Sequence, residues 1–136
     1  MKLFIIIVLI LIILISCGPG SLDPKFKYEE LIDSKNTKIY LKSKSWGLTY
    51  DHQLSIITTN PAKKWLPDSL NDYIFHGLEP FIYEFRRDTL FIYSRNFCQQ
   101  PNGFHSGIPI VQKSPDEYLE MIYKINHDSI AKLKVF

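Results

Sequence analysis

A short apolar segment at the amino terminus most strongly constrains how this chain can fold. It follows Lys2, runs uninterrupted over Leu3–Ile15, and stops at Cys17–Gly20, which contains glycine and proline. A helix that crosses a bilayer needs about 20 apolar residues, whereas the apolar core of a cleaved signal peptide has roughly 7–15. Glycine and proline also oppose helix extension beyond this point. We therefore expect residues 1–16 to be removed and to take no part in the folded domain.

The tetrad Leu14-Ile15-Ser16-Cys17 closes this segment and resembles the lipobox of bacterial lipoprotein signal peptides. The resemblance implies cleavage before Cys17 and attachment of lipid, including palmitate-type acyl chains, to its sulfur and new amino group. Two or more acyl chains give stable membrane attachment, so the folded body would need no membrane-binding face to stay attached. Two alternatives are an uncleaved signal anchor and an ordinary cleaved signal in which Cys17 is incidental.

The tetrad also divides the chain into three parts. Residues 1–16 are the expected signal peptide, residues 17–25 the lipid-anchored cysteine and a flexible tether, and residues 26–136 a single β-rich globular domain. The start of the tether consists of small or helix-breaking residues, and its one acid is Asp23. Without an acidic export signal, we expect a lipid-anchored cell-envelope protein that faces the periplasm.

Size and charge limit the functional classes. Removing the first 16 of 136 residues leaves 120, which suffices for one domain with its own core. Loss of Lys2 lowers the formal net charge from +2 to +1. The remaining basic residues are scattered in pairs and form no basic patch in the sequence, so we expect no nucleic-acid partner.

If Cys17 carries lipid, Cys98 is the one other cysteine and no intramolecular disulfide can form. A lone thiol in an oxidising compartment is usually buried or tolerated. We favour a buried structural Cys98, with an intermolecular bridge or a reactive thiol as the alternatives.

Short alternating runs of aromatic and β-branched residues favour strands over most of the mature chain. The pattern predicts strands at 37–45, 53–59, 73–75, 108–113 and 131–135, and a β-hairpin over 81–94. In the hairpin, Phe85 pairs with Leu90 and Tyr83 with Ile92, across a four-residue type I connection at Arg86–Thr89. In the first strand, Ile39 and Leu41 face the core, whereas Tyr40, Lys42 and Lys44 face solvent.

Two helices are also predicted. Asp23 and Pro24 could cap and begin a short helix that places Tyr28, Leu31 and Ile32 on one stripe. Ser114 and Glu117 have the spacing of a capping box, which predicts a helix over 115–126. The expected fold is α+β, a small antiparallel sheet of about five or six strands with one helix in the C-terminal half.

Few residue groups have the spacing of a catalytic or metal site. Asp51 and His52 could form an acid–base pair, but adjacent residues of a strand point to opposite faces. Cys98 and His105 could form a thiolate pair within one loop. The acids near 116–120 fit the start of a helix, where they interact favourably with its dipole. The four histidines lack paired ligand spacing, so we expect no metal and no cofactor.

Two tryptophans mark a possible ligand or partner surface, formed by Trp46 and Trp65 with Asp51 and His52. Aromatic side chains favour recognition surfaces, although they also fill the cores of small β domains. Trp65 and its neighbour Leu66 lie in a polar loop over residues 60–72 and are expected to fold back onto the body.

The mature chain also resembles small lipoproteins of Bacteroidota-type cell envelopes that have no assigned activity. The resemblance rests on Trp46-Gly47-Leu48-Thr49, Asp51-His52, Gly77-Leu78-Glu79-Pro80-Phe81 and Asp88-Thr89-Leu90. It implies a location but no reaction. We therefore expect a non-enzymatic envelope protein that binds another protein or supports an assembly. The alternatives are a small-molecule or glycan binder that uses the tryptophans and, less favoured, a hydrolase that uses His52 or Cys98.

Overall fold

The computed structural model describes residues 24–47, 49–50, 52–62, 66–77, 81–127 and 134–135 of the chain. Within these ranges the chain forms two four-stranded sheets and one helix. This arrangement confirms the α+β class and the helix in the C-terminal half. The described strands number eight and are divided between two sheets, where five or six strands in one sheet were expected.

Sheet 1 is an antiparallel meander of consecutive strands. In order across the sheet, its strands are β1 (Lys25–Ile32), β2 (Lys38–Trp46), β3 (His52–Thr58) and β4 (Tyr73–His76). The segment over 24–32, for which a helix was predicted, is β1. That prediction was wrong because β1 pairs with β2 along its whole length, and such pairing outweighs the weak helical preference of its lysines and glutamates.

Sheet 2 has the strand order β7-β6-β5-β8. Its strands are β5 (Ile82–Arg86), β6 (Thr89–Tyr93), β7 (Ile110–Lys113) and β8 (Lys134–Val135). The β5–β6 hairpin has the predicted register, with Phe85 opposite Leu90 and Tyr83 opposite Ile92. The β6–β7 pair is parallel, because the long segment 94–109 returns the chain to the end at which β6 began.

The hairpin connection differs from the prediction. Arg86 pairs with Thr89, which leaves a two-residue turn at Arg87 and Asp88. Both turn residues have positive φ, 48° and 57°, as a type I′ turn requires. This turn matches the twist of the flanking strands, whereas the expected type I turn would splay them. The Asp88 carboxylate also accepts hydrogen bonds from the backbone N–H and hydroxyl of Ser34, in the β1–β2 connection.

The main core lies between the two sheets. Ile39, Leu41 and Ile57 of sheet 1 are fully buried in one cluster with Leu90 and Ile92 of sheet 2. Each of these positions alternates with a residue on the opposite face of its strand. The sheets therefore bury a shared apolar interior and form a sandwich.

The helix α1 (Pro115–His127) covers the other face of sheet 2. Tyr118 packs with Ile82 and Tyr93 in a second cluster. The predicted capping box is confirmed: the Ser114 backbone N–H donates to the Glu117 carboxylate at 2.9 Å, and the Glu117 N–H donates to the Ser114 hydroxyl at 3.3 Å. These two bonds fix the start of α1.

The outer face of sheet 1 is more buried than expected. Tyr40 and Lys42, predicted to face solvent, are 6% and 4% exposed, and Lys44 is half-buried. The Lys42 ammonium donates to the carbonyl oxygens of Asn60 and Ala62, at 2.8 and 2.5 Å. The prediction failed because the connection that leaves β3 returns over this face, which a strand pattern does not reveal.

Candidate functional site

Two of the four residues predicted for a ligand or partner surface lie in contact. Trp46 ends β2 and His52 begins β3, and the two are directly opposite in the antiparallel register. Their rings stack with centroids 5.7 Å apart. Trp46 is 37% exposed, so its indole presents area to solvent. Asp51 and Trp65, the other two predicted residues, lie outside the described ranges.

The Trp46–His52 pair is part of a larger exposed feature at one end of sheet 1. We use the name aromatic–lysine surface for Lys25, Phe26, Lys44, Trp46, Tyr50 and His52. The Lys44 ammonium lies 5.8 Å from the ring centre of Phe26 and 5.7 Å from that of Trp46. The Lys25 ammonium lies 4.1 Å from the ring centre of Tyr50.

This surface follows from strand register. Phe26 of β1 pairs with Lys44 of β2, so both side chains leave the sheet on the same face. Trp46, two residues further along β2, shares that face. Phe26 is 60% exposed, which is unusual for a phenylalanine and leaves a large apolar ring in water. Trp46 and His52 stand out in the sequence, whereas Phe26 does not, because the pattern of the segment that forms β1 predicts a helix.

A cavity of about 470 Å³ opens between the end of β4 and the segment that follows β6. Its described lining residues are Ile74, Phe75, His76, Gly77, Phe81, Ser94, Arg95, Asn96, Phe97 and Cys98. The Phe75 and Phe81 rings, 4.9 Å apart, bring the two sheets together at this wall. The cavity thus combines an apolar interior with a few polar groups, a composition typical of small-molecule sites.

Two of the described residues that line the cavity are basic. Arg95 and His76 contribute nitrogen donors, and the described lining residues include no carboxylate. The Ser94 hydroxyl donates to the Asn96 carbonyl at 2.7 Å and thereby orders the rim. Such a wall favours a ligand with a negative or hydrogen-bond-accepting group.

Cys98 forms part of this wall as a structural thiol. Its Sγ donates to the Ile74 carbonyl at 3.2 Å, and burial raises the pKa of the Cys98 thiol above its ordinary value. The Gln112 side chain forms two hydrogen bonds with the backbone of Cys98. It accepts from the Cys98 N–H at 2.8 Å and donates to the Cys98 carbonyl at 2.6 Å. A thiol that is held protonated is a poor nucleophile.

The remaining candidate groups do not assemble into a catalytic site within the described residues. His105 lines a second depression of about 500 Å³, whereas Cys98 lines the first cavity. Glu117 caps α1, and Glu120 forms an ion pair with Lys124 one turn later. No cluster of three or more histidine, cysteine or acidic side chains among the described residues could hold a metal ion.

The cavity residues carry no local sequence signal. Phe75 comes from β4, Phe81 precedes β5, and Arg95 follows β6, so they meet only when the two sheets pack. Their spacing along the chain matches no motif.

Within the described ranges, no helix combines the length and the apolar character needed to cross a bilayer.

Comparison with known proteins identifies no relative of this chain. No family model matches the chain, and no curated protein or solved structure matches it significantly. The function is therefore inferred from the residues and the geometry of this chain alone.

Proposed function

We propose that this chain is a lipid-anchored, periplasm-facing protein of the bacterial cell envelope, and that its folded body acts by binding and not by catalysis. Acyl chains on Cys17 hold it at the membrane, and the cavity between the sheets takes a small ligand. The observation that carries the binding role is the 470 Å³ cavity with its apolar interior and basic rim.

The anchor is supported by the lipobox-like tetrad that ends at Cys17 and by the short apolar segment before it. Mass spectrometry of the protein extracted from its native membrane tests this part. We expect an amino terminus that begins at Cys17 and carries the mass of acyl chains, and a Cys17→Ser variant that retains its leader. An unmodified terminus or an intact leader in the wild-type protein would contradict the anchor.

The cavity supports a ligand with an apolar body and an acidic head. The half-buried Phe75 and the exposed Phe97 offer ring surface. Arg95 and His76 offer nitrogen donors. A volume of about 470 Å³ lies within the range of known small-molecule sites, roughly 300–1,000 Å³. A medium-chain carboxylate has this combination of properties.

Decanoate and decanol form a matched pair of probes for this site, because they differ in the charge of the head group. We expect decanoate to bind more tightly in calorimetry, and Arg95→Gln to weaken decanoate binding by about tenfold while decanol binding stays unchanged. Leu119→Ser on α1, remote from the cavity, is the matched control. Equal binding of both probes to wild-type and Arg95→Gln proteins would contradict an acid-binding cavity.

A protein partner is a second candidate, favoured by the outer face of α1. Leu119 and Tyr123, one turn apart, are 55% and 61% exposed. Exposed aromatic and aliphatic side chains in this spacing serve as anchors in protein interfaces. Cross-linking of the membrane-tethered protein tests it: a partner should be recovered with wild-type protein and lost with Leu119→Ser/Tyr123→Ser. Recovery of no partner, or of one unaffected by the double variant, would contradict this candidate.

The catalytic alternatives receive no support from the described contacts. The hydrolase hypothesis needs an activated His52 or Cys98. His52 stacks on Trp46, and the Cys98 thiol donates a hydrogen bond and has a raised pKa. Neither of these contacts activates a base or a nucleophile, which agrees with a binding protein.

A further inference from the structure

We propose that the aromatic–lysine surface rests on the anionic lipid surface of the membrane and sets the orientation of the protein there. The inference rests on the proposed lipid anchor at Cys17 and goes beyond it, since acyl chains attach a protein without fixing which side faces the bilayer. Three independent observations lead to the lipid surface: the length of the tether, the chemistry of the exposed rings, and the sign of the charge.

The tether keeps the start of β1 within a limited distance of the membrane. Only eight peptide units separate Cys17 from Lys25, the first residue of β1. A fully extended chain spans at most about 3.6 Å per residue, so β1 begins within roughly 29 Å of the acylated sulfur. That distance is about one domain diameter, so it limits how far the surface next to Lys25 can lie from the lipid.

The exposed rings next to Lys25 match the membrane interface. Phe26 and Trp46 present 60% and 37% of their surfaces to solvent on one face of sheet 1, and Tyr28 is 39% exposed on the same face. Tryptophan and tyrosine are enriched where lipid head groups meet the hydrocarbon region, because each has an apolar ring and a polar group. Docking there removes these rings from water without requiring a complementary protein.

The charge of this surface is also suited to anionic lipid. Lys44 shares the face of the rings, whereas Lys25 and Lys27 alternate with Phe26 and Tyr28 along β1 and flank the surface at that edge of sheet 1. The region around the surface remains net positive when its acids are counted. Lys25, Lys27, Lys38 and Lys44 oppose Asp51 and Glu30, and Glu30 is paired with Lys38 at 2.8 Å. Lysines can keep their ammonium groups at the phosphate level while their methylene stems and the rings lie deeper.

Depth-dependent quenching of Trp46 tests the proposal directly. The acylated protein carrying Trp65→Phe, which leaves Trp46 as the single tryptophan, is reconstituted into phosphatidylcholine vesicles with or without phosphatidylglycerol. We expect lipids brominated near the head group to quench Trp46 in the anionic vesicles, with weaker quenching in neutral vesicles and at high salt. Lack of quenching in anionic vesicles would overturn the proposal.

Lysine variants provide the matched comparison. Lys25→Gln/Lys27→Gln/Lys44→Gln should shift the ratio of docked to undocked protein by about fivefold per lysine removed. Lys35→Gln/Lys38→Gln/Lys124→Gln removes the same charge elsewhere and should leave quenching unchanged. Equal losses in both triple variants would show nonspecific attraction and overturn the proposal.

Hydroxyl-radical footprinting of the wild-type acylated protein needs no substitution and guards against a variant that misfolds. Phe26 and Trp46 should lose reactivity on anionic vesicles, whereas Leu119 and Tyr123 of α1 should keep theirs. Protection of Phe26 and Trp46 only in native membranes that contain protein would identify a protein occupant and overturn the lipid one. Mass spectrometry of the same sample distinguishes the failure of the lipid anchor from the failure of the proposed orientation. If Cys17 is acylated but Phe26 and Trp46 are not protected from the radicals, only the orientation is overturned. If the chain is not acylated, both proposals are overturned.

Discussion

At the scale of single residues, the burial of polar groups is the feature that the sequence predicts least well. Lys42 lies on the outer face of β2, and burial lowers the pKa of its ammonium group, an effect that Asp72 opposes. Its two hydrogen bonds to the carbonyls of Asn60 and Ala62 offset part of the cost of burying the charge. Lys42 thus fastens the β3–β4 connection to sheet 1.

The thiol of Cys98 should react slowly. Because burial raises its pKa, the thiolate that attacks alkylating reagents is scarce at neutral pH. We expect alkylation by iodoacetamide to be much slower than that of a free cysteine peptide at pH 7.5, and to accelerate only above the ordinary thiol value of 9.0. Urea-unfolded protein is the control and should react at the peptide rate. Rapid alkylation of the folded protein at pH 7.5 would restore the reactive-thiol hypothesis.

Tyr83 should make the fold sensitive to alkali. Burial, together with the nearby Glu29 carboxylate, raises the pKa of Tyr83 above its ordinary value of 10.0. Its contribution to stability is therefore complete below pH 10 and is lost as the pH rises further, where the unfolded state releases the proton more readily.

We expect Tyr83→Phe to change the free energy of unfolding at pH 7 by at most about 1 kcal/mol, because the hydroxyl that it removes is buried beside the Glu29 carboxylate. It should also flatten the decline in stability above pH 10. Urea unfolding at pH 7, 10 and 11 measures both effects. Tyr123→Phe, at an exposed position of α1, should change neither, and an undiminished alkaline decline in Tyr83→Phe would contradict the assignment.

At the scale of elements, turn chemistry and capping determine where strands and helices end. The β5–β6 turn places Arg87 and Asp88 in the left-handed region, which arginine adopts at a cost. Asp88 tolerates this conformation and also binds Ser34. Of the two turn residues, Arg87 therefore has the higher conformational cost.

Arg87→Asn should stabilise the protein by about 0.5 kcal/mol, because asparagine adopts positive φ more readily and is favoured in type I′ turns. Arg86→Asn makes the same chemical change in the neighbouring strand. It should destabilise the protein, since asparagine is disfavoured in strands and Arg86 packs over the Phe91 ring at 4.5 Å. Chemical denaturation of the two variants tests the opposite signs, and destabilisation by both would argue against the turn assignment.

At the scale of the whole molecule, one interior joins the two sheets. Ile39 of sheet 1 has no exposed surface and belongs to the same cluster as Leu90 and Ile92 of sheet 2. Loss of packing on one side of this interior should therefore weaken both sheets, as in a cooperative domain.

Ile39→Ala should lower the free energy of unfolding by about 2–5 kcal/mol, because it leaves a cavity in a close-packed core. Amide hydrogen exchange should accelerate in β5 and β6 as well as in β2 and β3. Ile32→Ala, at a position of β1 that is 46% exposed, should change stability by less than about 0.5 kcal/mol. Accelerated exchange confined to sheet 1 would show that the sheets unfold independently.

The predictions from sequence succeeded where the interacting residues are close together along the chain. The β5–β6 register and the Ser114–Glu117 capping box involve neighbours in the chain, and both predictions are confirmed. The helix over 24–32 was a wrong prediction, because the strand places Leu31 in the core and Tyr28 and Ile32 on the opposite, exposed face. Pairing with β2 decided between the two structures.

The candidate site was only partly predictable for the same reason. Trp46 and His52 stand out in the sequence as rare side chains close to a turn, and the register brings them into contact. Phe26 joined them only through pairing between β1 and β2. The cavity at Phe75, Phe81 and Arg95 has no counterpart in sequence spacing.

The sequence by itself determined the strand-rich composition, the hairpin register and the start of α1, because alternation, pairing of adjacent strands and capping act over a few residues. It also supplied the expectation of a lipid anchor at Cys17. Only the tertiary structure decided that the strands divide into two sheets, that Lys42 is buried and that a cavity opens between them. These features depend on contacts between distant segments, whose free energy depends on how whole faces pack and is not encoded in any local pattern.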